Sequence, residues 1–337
     1  MKSKGAWLQS LELGIKSDPI LYRYSYQWLF ALMRELGVEQ LQLGSFFELY
    51  HLEDSWFRDL RRSAESFGVQ VRSCFTAHRE LGGLLCEDSR LQQVALQNYR
   101  RLIEVASLLG AAYCGSNPGA VLRDRMQHKP QAIARYIDAM RELRVYAAGL
   151  GLLGLTVEPM SSLAEPPATA QEINSLMGAF GDPVDCDGTA SAVPVYLCGD
   201  ISHGYADAQG HVIESNLQLF ETGIPYMCEF HFKNTDQRFA STFGFSAEEQ
   251  RRGIVDLEQV IALIWRNRNR WPVASVIGYL ELPGPKLGRD YSDGTLGRAL
   301  SDSVCAIQSA MKARAVAVAG SLTAGAPRRY SSERSGS

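Results

Sequence analysis

Residues 225 to 238, PYMCEFHFKNTDQR, carry the densest potential chemistry in the chain. Tyr226, Cys228 and Phe230 alternate with Met227, Glu229 and His231, and both sets are largely apolar or aromatic, as in a strand buried on both faces. The run then breaks into His231, Lys233, Asn234, Thr235, Asp236 and Arg238, all groups that can ligate, donate or titrate. Three other segments repeat the pattern. LTVEPM ends a β-like run in Glu158, CGDISHG ends one in Asp200 with His203 three residues on, and GYLELPGP ends one in Glu281. Singly, each has an ordinary reading as a cap partner, an Asx turn or a solvated strand end. Jointly, three carboxylates and one imidazole at four successive strand ends make a mixed oxygen and nitrogen site for a divalent cation. Mn²⁺ suits that set best, Mg²⁺ and Co²⁺ are compatible, and Zn²⁺ suits it less because no thiolate joins it. Carboxylates gathered in one place would repel one another, and a bound cation would relieve that repulsion.

Such convergence requires elements that bring distant strand ends to one rim. The sequence alternates short β-like runs with longer helical ones. Strands are expected near 11–16, 38–43, 69–75, 111–115, 153–158, 194–200, 225–231 and 275–282. Helices are expected over 24–36, from Asp54 as a cap to Phe67, and over 91–109, 130–148, 169–177, 214–222, 247–270 and 293–313. Gly37, Gly68 and Gly110 close three of these helices, and Thr169 with Glu172 has capping-box spacing. Eight strands, each followed by a helix, predict an α/β fold: a single-domain (β/α)8 TIM barrel over residues 1–315. The small, polar, Gly/Ser-rich segment 316–337 is expected to be a flexible tail.

Composition narrows the function classes. The 337 residues are 46% apolar and 21% charged, with a formal net charge of -3, so the chain has no basic excess to favour nucleic acid. Its longest nearly apolar stretch, 145–157, is too short to span a bilayer, and the N-terminal residues contain no signal-peptide core. The seven cysteines are scattered and form no CxxC pair, which points to reduced core thiols in a cytoplasmic protein.

The strand-end pattern resembles the xylose isomerase-like barrel superfamily, the sugar phosphate isomerase/epimerase group that includes tagatose- and allulose-type ketose 3-epimerases. The likeness spans roughly residues 10–313 and rests most on Glu158, the Asp200-x-x-His203 step, His231 and Glu281. It implies that Glu158, Asp200, His231 and Glu281 hold the metal and that His203 contacts substrate. Arg238 resembles the arginine that follows the strand-seven histidine and holds a sugar hydroxyl, at a spacing one residue longer, with Lys233 or Asp236 sharing its work. Glu165 lies close to a second, substrate-facing glutamate of the family. The expected partner is a small carbohydrate, with no nucleic acid or membrane, and the expected assembly is a homo-oligomer, a dimer or tetramer.

The residues suit one reaction type. A metal on two oxygens of a ketose stabilises an enediolate and makes the adjacent C–H more acidic. Glu158 and Glu281, on opposite sides of a bound sugar, could remove and return the proton, giving epimerisation or, with return to the neighbouring carbon, isomerisation. The same machinery serves a lyase: a keto-sugar dehydratase, decarboxylase or C-deglycosidase. The loop LPGPKLGRDYSD places Lys286 and Arg289 among glycines after the last strand, where barrels often bind phosphate, so a ketose phosphate is a second substrate expectation.

Overall fold

The computed structural model describes residues 7–44, 46–76, 81, 83–181, 191–283 and 294–324, with side chains described through residue 314. The barrel strands are β1 (Ser10–Lys16), β2 (Gln40–Leu43), β3 (Gln70–Thr76), β4 (Tyr113–Ser116), β5 (Gly154–Val157), β6 (Val195–Asp200), β9 (Met227–Phe232) and β10 (Ser275–Leu280). A short antiparallel hairpin, β7 (Tyr205–Ala206) and β8 (Val212–Glu214), lies between β6 and β9 in sequence and outside the barrel. All eight barrel pairings are parallel, and β1 closes the sheet by pairing with both β2 and β10. The expected (β/α)8 barrel is therefore the observed fold.

The helices are α1 (Tyr26–Glu35), α2 (Asp54–Ser66), α3 (Ser89–Leu109), α4 (Lys129–Gly149), α5 (Ala170–Phe180), α6 (Asn216–Gly223), α7 (Ala247–Arg252), α8 (Leu257–Arg266) and α9 (Leu296–Ala324). They cover the outer face of the sheet with one continuous apolar cluster, which includes Phe30, Phe57, Leu102, Met140 and Ile264. Local chemistry fixes the ends of several helices. Gly110 closes α3 in a left-handed conformation (φ 75°), as its position after the last periodic residue predicts. The Thr169 side chain accepts from the Glu172 amide at the start of α5, while the Glu172 carboxylate accepts from the Ala168 amide instead of closing a capping box.

Four elements differ from the sequence reading, each for a visible reason. Asp54 is not a cap but the first residue of α2, and its carboxylate accepts from Arg58 and Arg101. The helix expected over 247–270 is two helices, because Asn234 and Thr235 claim the backbone between them. Asn234 Oδ1 accepts from the Val255 amide at 3.1 Å, the Thr235 carbonyl accepts from the Ile254 amide at 3.0 Å, and Asp256 caps α8. Residues 214 and 215 fall outside α6: Glu214 belongs to the hairpin, and Ser215 starts the helix with a full capping box to Gln218. The last helix runs on to Ala324, eleven residues past the expected Ala313, and the rest of the expected tail lies outside the described residues.

Gly115 on β4 shows how tightly the strands close. A β-carbon there would overlap the Thr156 carbonyl and Oγ1 on β5. Gly115→Ala should therefore lower unfolding free energy by about 2 kcal/mol or more, read by urea denaturation, because backbone cannot retreat as a flexible side chain can.

Candidate active site

The period-two alternation of a strand sends Glu229 and His231 of β9 to the same face, and both are buried in the barrel interior. Glu158 follows β5, Asp200 ends β6 and Glu281 follows β10. Their ligand atoms and one of His231 all lie within 4.8 Å of one another. The four residues named from the sequence thus meet at the C-terminal rim, although they are separated by up to 123 positions in the chain.

The polar contacts are short and specific. His231 Nδ1 lies 2.9 Å from Glu158 Oε1 and 3.4 Å from Glu281 Oε2. Asn117, just beyond β4, donates to Glu158 Oε2. Asp200 divides its two oxygens. Oδ1 accepts from the Ser202 amide and hydroxyl, both at 2.7 Å, which is an Asx-type turn, while Oδ2 faces the cluster. His203 stands at the edge. Its Nδ1 is 2.6 Å from the Pro159 carbonyl, which can only accept, so Nδ1 carries the proton and Nε2 is left as an acceptor 3.2 Å from Lys233 Nζ.

Two lysines enter this cluster. Lys233 Nζ lies 2.5 Å from Asp200 Oδ2, donates to Glu281 Oε2 at 3.0 Å and stands 3.2 Å from His203 Nε2. Lys16, the last residue of β1, donates to Glu281 Oε1 at 2.6 Å and pairs with Asp18 at 2.9 Å. Lys16 was absent from the sequence-derived set. A lysine closing a short strand reads as a surface cation, and only its place after the inward-facing Gly14 could have flagged it. Two ammoniums therefore do part of the work that the sequence reading gave to a bound cation.

The electrostatics follow from these pairings. Burial pushes the Glu281 carboxyl up, but Lys16, Lys233 and His231 outweigh it and hold the group well below the usual carboxylate range. Burial also opposes ionisation of Asp200, and His203 and Lys233 reverse that effect, leaving its pKa lowered. For His231, burial disfavours the charged ring while Glu281 and Glu158 favour it, and the net shift is upward. Both lysines are raised despite burial, by Asp18 and Glu281 for Lys16 and by Asp200 and Glu281 for Lys233.

The donor set fits a divalent cation on three counts. It offers three carboxylates and one imidazole. Asp200 Oδ2 is buried without an aligned hydrogen-bond partner, despite the nearby ammonium. Finally, Glu158, Asp200, Glu281 and Asp18 set four carboxylates against two lysines, so with a neutral imidazole two negative charges remain, which one divalent cation would balance.

The remaining sequence candidates divide. His203 and Lys233 join the cluster. Arg238 is exposed and lies against Gly210 in the hairpin, and Asp236 accepts from the Arg238 amide, so Arg238 is not brought to the carboxylates. Lys286 and Arg289 lie outside the described residues. Cys74, Cys114, Cys198 and Cys228 are buried free thiols, as expected. Among the described residues no helix is long and apolar enough to cross a membrane.

A closed parallel barrel with this donor set at its C-terminal rim defines the class. The family model for the xylose isomerase-like TIM barrel matches residues 30–273, and the chain belongs to that family. No curated protein matches it. Solved structures of similar fold include D-psicose 3-epimerase with D-tagatose from Clostridium cellulolyticum H10, at TM-score 0.64 and 16% identity, covering 89% of this chain and 99% of that one. The 3-keto-D-glucoside 4-epimerase YcjR from E. coli matches at TM-score 0.61 and 12% identity, covering 89% and 100%. The IOLI protein with a bound zinc atom matches at TM-score 0.60 and 15% identity, covering 87% and 98%. At these identities the likeness establishes the fold.

Lys233→Met should destabilise the metal-free protein by about 3 kcal/mol, because it strands buried carboxylates, and added Mn²⁺ should restore the melting temperature. The sign of the pH dependence is set by the lowered carboxyls. Asp200 and Glu281 contribute stability that is present above the unfolded value of about 4 and lost as pH falls through their folded values. Acid unfolding of the Lys233→Met variant should therefore show a shallower limb than wild type when followed by circular dichroism.

Proposed function

We propose that the protein is a metal-dependent epimerase or isomerase acting on a ketose or ketose phosphate. The observation that carries this reading is the meeting of Glu158, Asp200, His231 and Glu281 within 4.8 Å at the barrel rim. Those four would hold the ion, with Mn²⁺ the preferred choice. When bound, it would supply Lewis acidity that makes a sugar C–H beside a carbonyl more acidic.

The chain's own residues do the rest. Glu158 and Glu281 both approach His231 Nδ1, from strands β5 and β10, so a sugar carbon held between the two carboxylates could lose a proton to one and regain it from the other. The two are not equivalent. Glu281 is held ionised by Lys16 and Lys233 and suits the base, whereas Glu158 touches a neutral amide, that of Asn117, and the imidazole. Lys233 at the rim is placed to donate to a substrate oxygen, and His203 Nε2 to accept from a substrate hydroxyl, once a sugar competes for their present partners. A carbohydrate substrate accords with the sugar epimerases of the same fold.

The test is solvent exchange. Metal-loaded protein incubated in D₂O with a panel of ketoses and their phosphates should place deuterium at C3, or at C1 and C2. Glu281→Gln, compared under conditions where circular dichroism shows it folded, should lower that exchange by about 10²- to 10⁴-fold, the usual worth of a positioned general base. No deuterium at any carbon with Mn²⁺, Mg²⁺ or Co²⁺ would remove the reading, and loss of water or of a fragment would move the protein to the lyases.

A further inference from the structure

The loop that leaves β9 turns back on the segment carrying His203, and it does so through a residue held in an unusual backbone. Phe239 has φ 57°, and with Tyr22 it is one of two non-glycine residues in the left-handed region among the described residues. A bulky side chain there is strained, and such strain persists only where the surroundings impose it. Here one carboxylate does most of this. Asp236 Oδ1 accepts from the Arg238 amide at 2.8 Å and from the Ala240 amide at 3.1 Å, so the residues on both sides of Phe239 are held to a single oxygen. The Asp236 carbonyl accepts from the Phe239 amide itself at 3.1 Å, and Oδ2 accepts from Ser241 Oγ. At the neck of the loop Asn234 and Phe243 exchange both backbone hydrogen bonds.

The ring so placed points its tip at Gly204. A β-carbon on Gly204 would lie 2.3 Å from Phe239 Cζ and 2.6 Å from each Cε. Gly204 is buried and is not left-handed, so the space around it, rather than its backbone, is what requires glycine. The base of the same loop meets the preceding residue, since Lys233 Nζ stands 3.2 Å from His203 Nε2. One loop therefore grips two adjacent residues, His203 by its base and Gly204 by its tip, and Arg238 adds a contact against Gly210 in the hairpin. Upstream the segment is fixed independently: the Ile201 amide donates to the His231 carbonyl at 3.3 Å, and Asn216 Nδ2 donates to the Ile201 carbonyl at 2.7 Å.

We propose that Phe239 is a positioning residue for His203: its ring, seated on Gly204, closes the 201–204 turn and keeps His203 Nε2 directed at the carboxylate rim, 3.5 Å from Asp200 Oδ2, where a substrate hydroxyl would meet it. Glycine at 239 would adopt the same backbone without strain but would bring no ring. The strain is thus the cost of delivering an aromatic tip to this spot, and Asp236 acts one step further back by holding Phe239 in place.

The inference rests on the epimerase or isomerase reading only for the substrate that His203 meets, because the clamp can be observed without one. In metal-free protein carrying ¹³C-labelled histidine rings, His203, assigned by its loss in His203→Gln, should give one sharp ring signal. Phe239→Gly should broaden or split that signal, leave the His231 signal in place, and speed amide hydrogen exchange across residues 201–206 about 10-fold. Gly204→Ala, which displaces the ring from the other side and serves if Phe239→Gly does not fold, should do the same. The double variant should be no worse than Phe239→Gly alone, because the added methyl then meets no ring. On a ketose that the wild type labels in D₂O, each single variant should raise KM about 2- to 10-fold, the worth of one hydrogen bond, with kcat held within about twofold. A wild-type His203 signal and wild-type exchange over 201–206 in both single variants would overturn the proposal. A loosened segment with wild-type KM would also overturn it and leave Phe239 as packing. Loosening confined to 201–206 in a protein that labels no ketose would support the clamp and sink the sugar reading instead.

Discussion

The constraint on which the rest of this molecule depends is the burial of three carboxylates at one rim. Carboxylates removed from water must be paired or neutralised, and the barrel arranges this from opposite sides. Lys16 arrives from β1 and Lys233 from just past β9, and both close on Glu281, which stands between them. Closure of the sheet between β1 and β10 is what brings Lys16 to Glu281, across 265 residues of sequence. A doubly wound open sheet with the same alternation of elements would leave β1 and β10 apart and Glu281 without its partner. The ion pairing and the barrel topology are thus one requirement seen at two scales.

The interior below that rim holds Gln42, Ser73, Thr156, Glu229 and His231, all buried, and its polarity is ordered. Glu229 would be expensive alone. Burial raises its carboxyl to about 7, against the opposing hydrogen bonds of Ser73, Thr156 and Cys198 and the charge of His231. Apolar and aromatic residues wall it in, among them Phe75, which meets His231 edge-on at 5.1 Å and also receives Lys16 over its ring. The wall keeps water from competing for the hydrogen bonds, so a few side chains can hold one another in a single arrangement. A site with this degree of fixation suits proton transfer, where misplacement of a base by a fraction of an ångström is costly.

Much of this was legible in the sequence because it is written in periods. Strand alternation placed Glu158, Asp200, His231 and Glu281 at strand ends, and glycines after helical runs marked where the chain turned back. What escaped the reading was information carried by partners distant in sequence. Lys16 looks like any charged residue leaving a strand until β10 is known to lie beside β1. Gln42 and Ser73 read as the polar half of an alternating strand, and nothing local reveals that the polar half faces the axis. The break between α7 and α8 is dictated by Asn234 and Thr235, more than ten residues upstream, while the helical pattern of 247–270 continues through it undisturbed. Arg238 was placed by analogy of spacing, and spacing along a loop does not fix the direction in which a side chain leaves it.

The lysines bear on what the site can do, because they answer the same charges as a metal would. Had they neutralised the carboxylates fully, a divalent ion would have little to gain on entry. They do not, since Asp18 adds a fourth carboxylate and two negative charges remain in excess with a neutral ring. The lysines therefore let the rim hold together without an ion, and the remaining negative charge is what leaves room for one under the function proposed above.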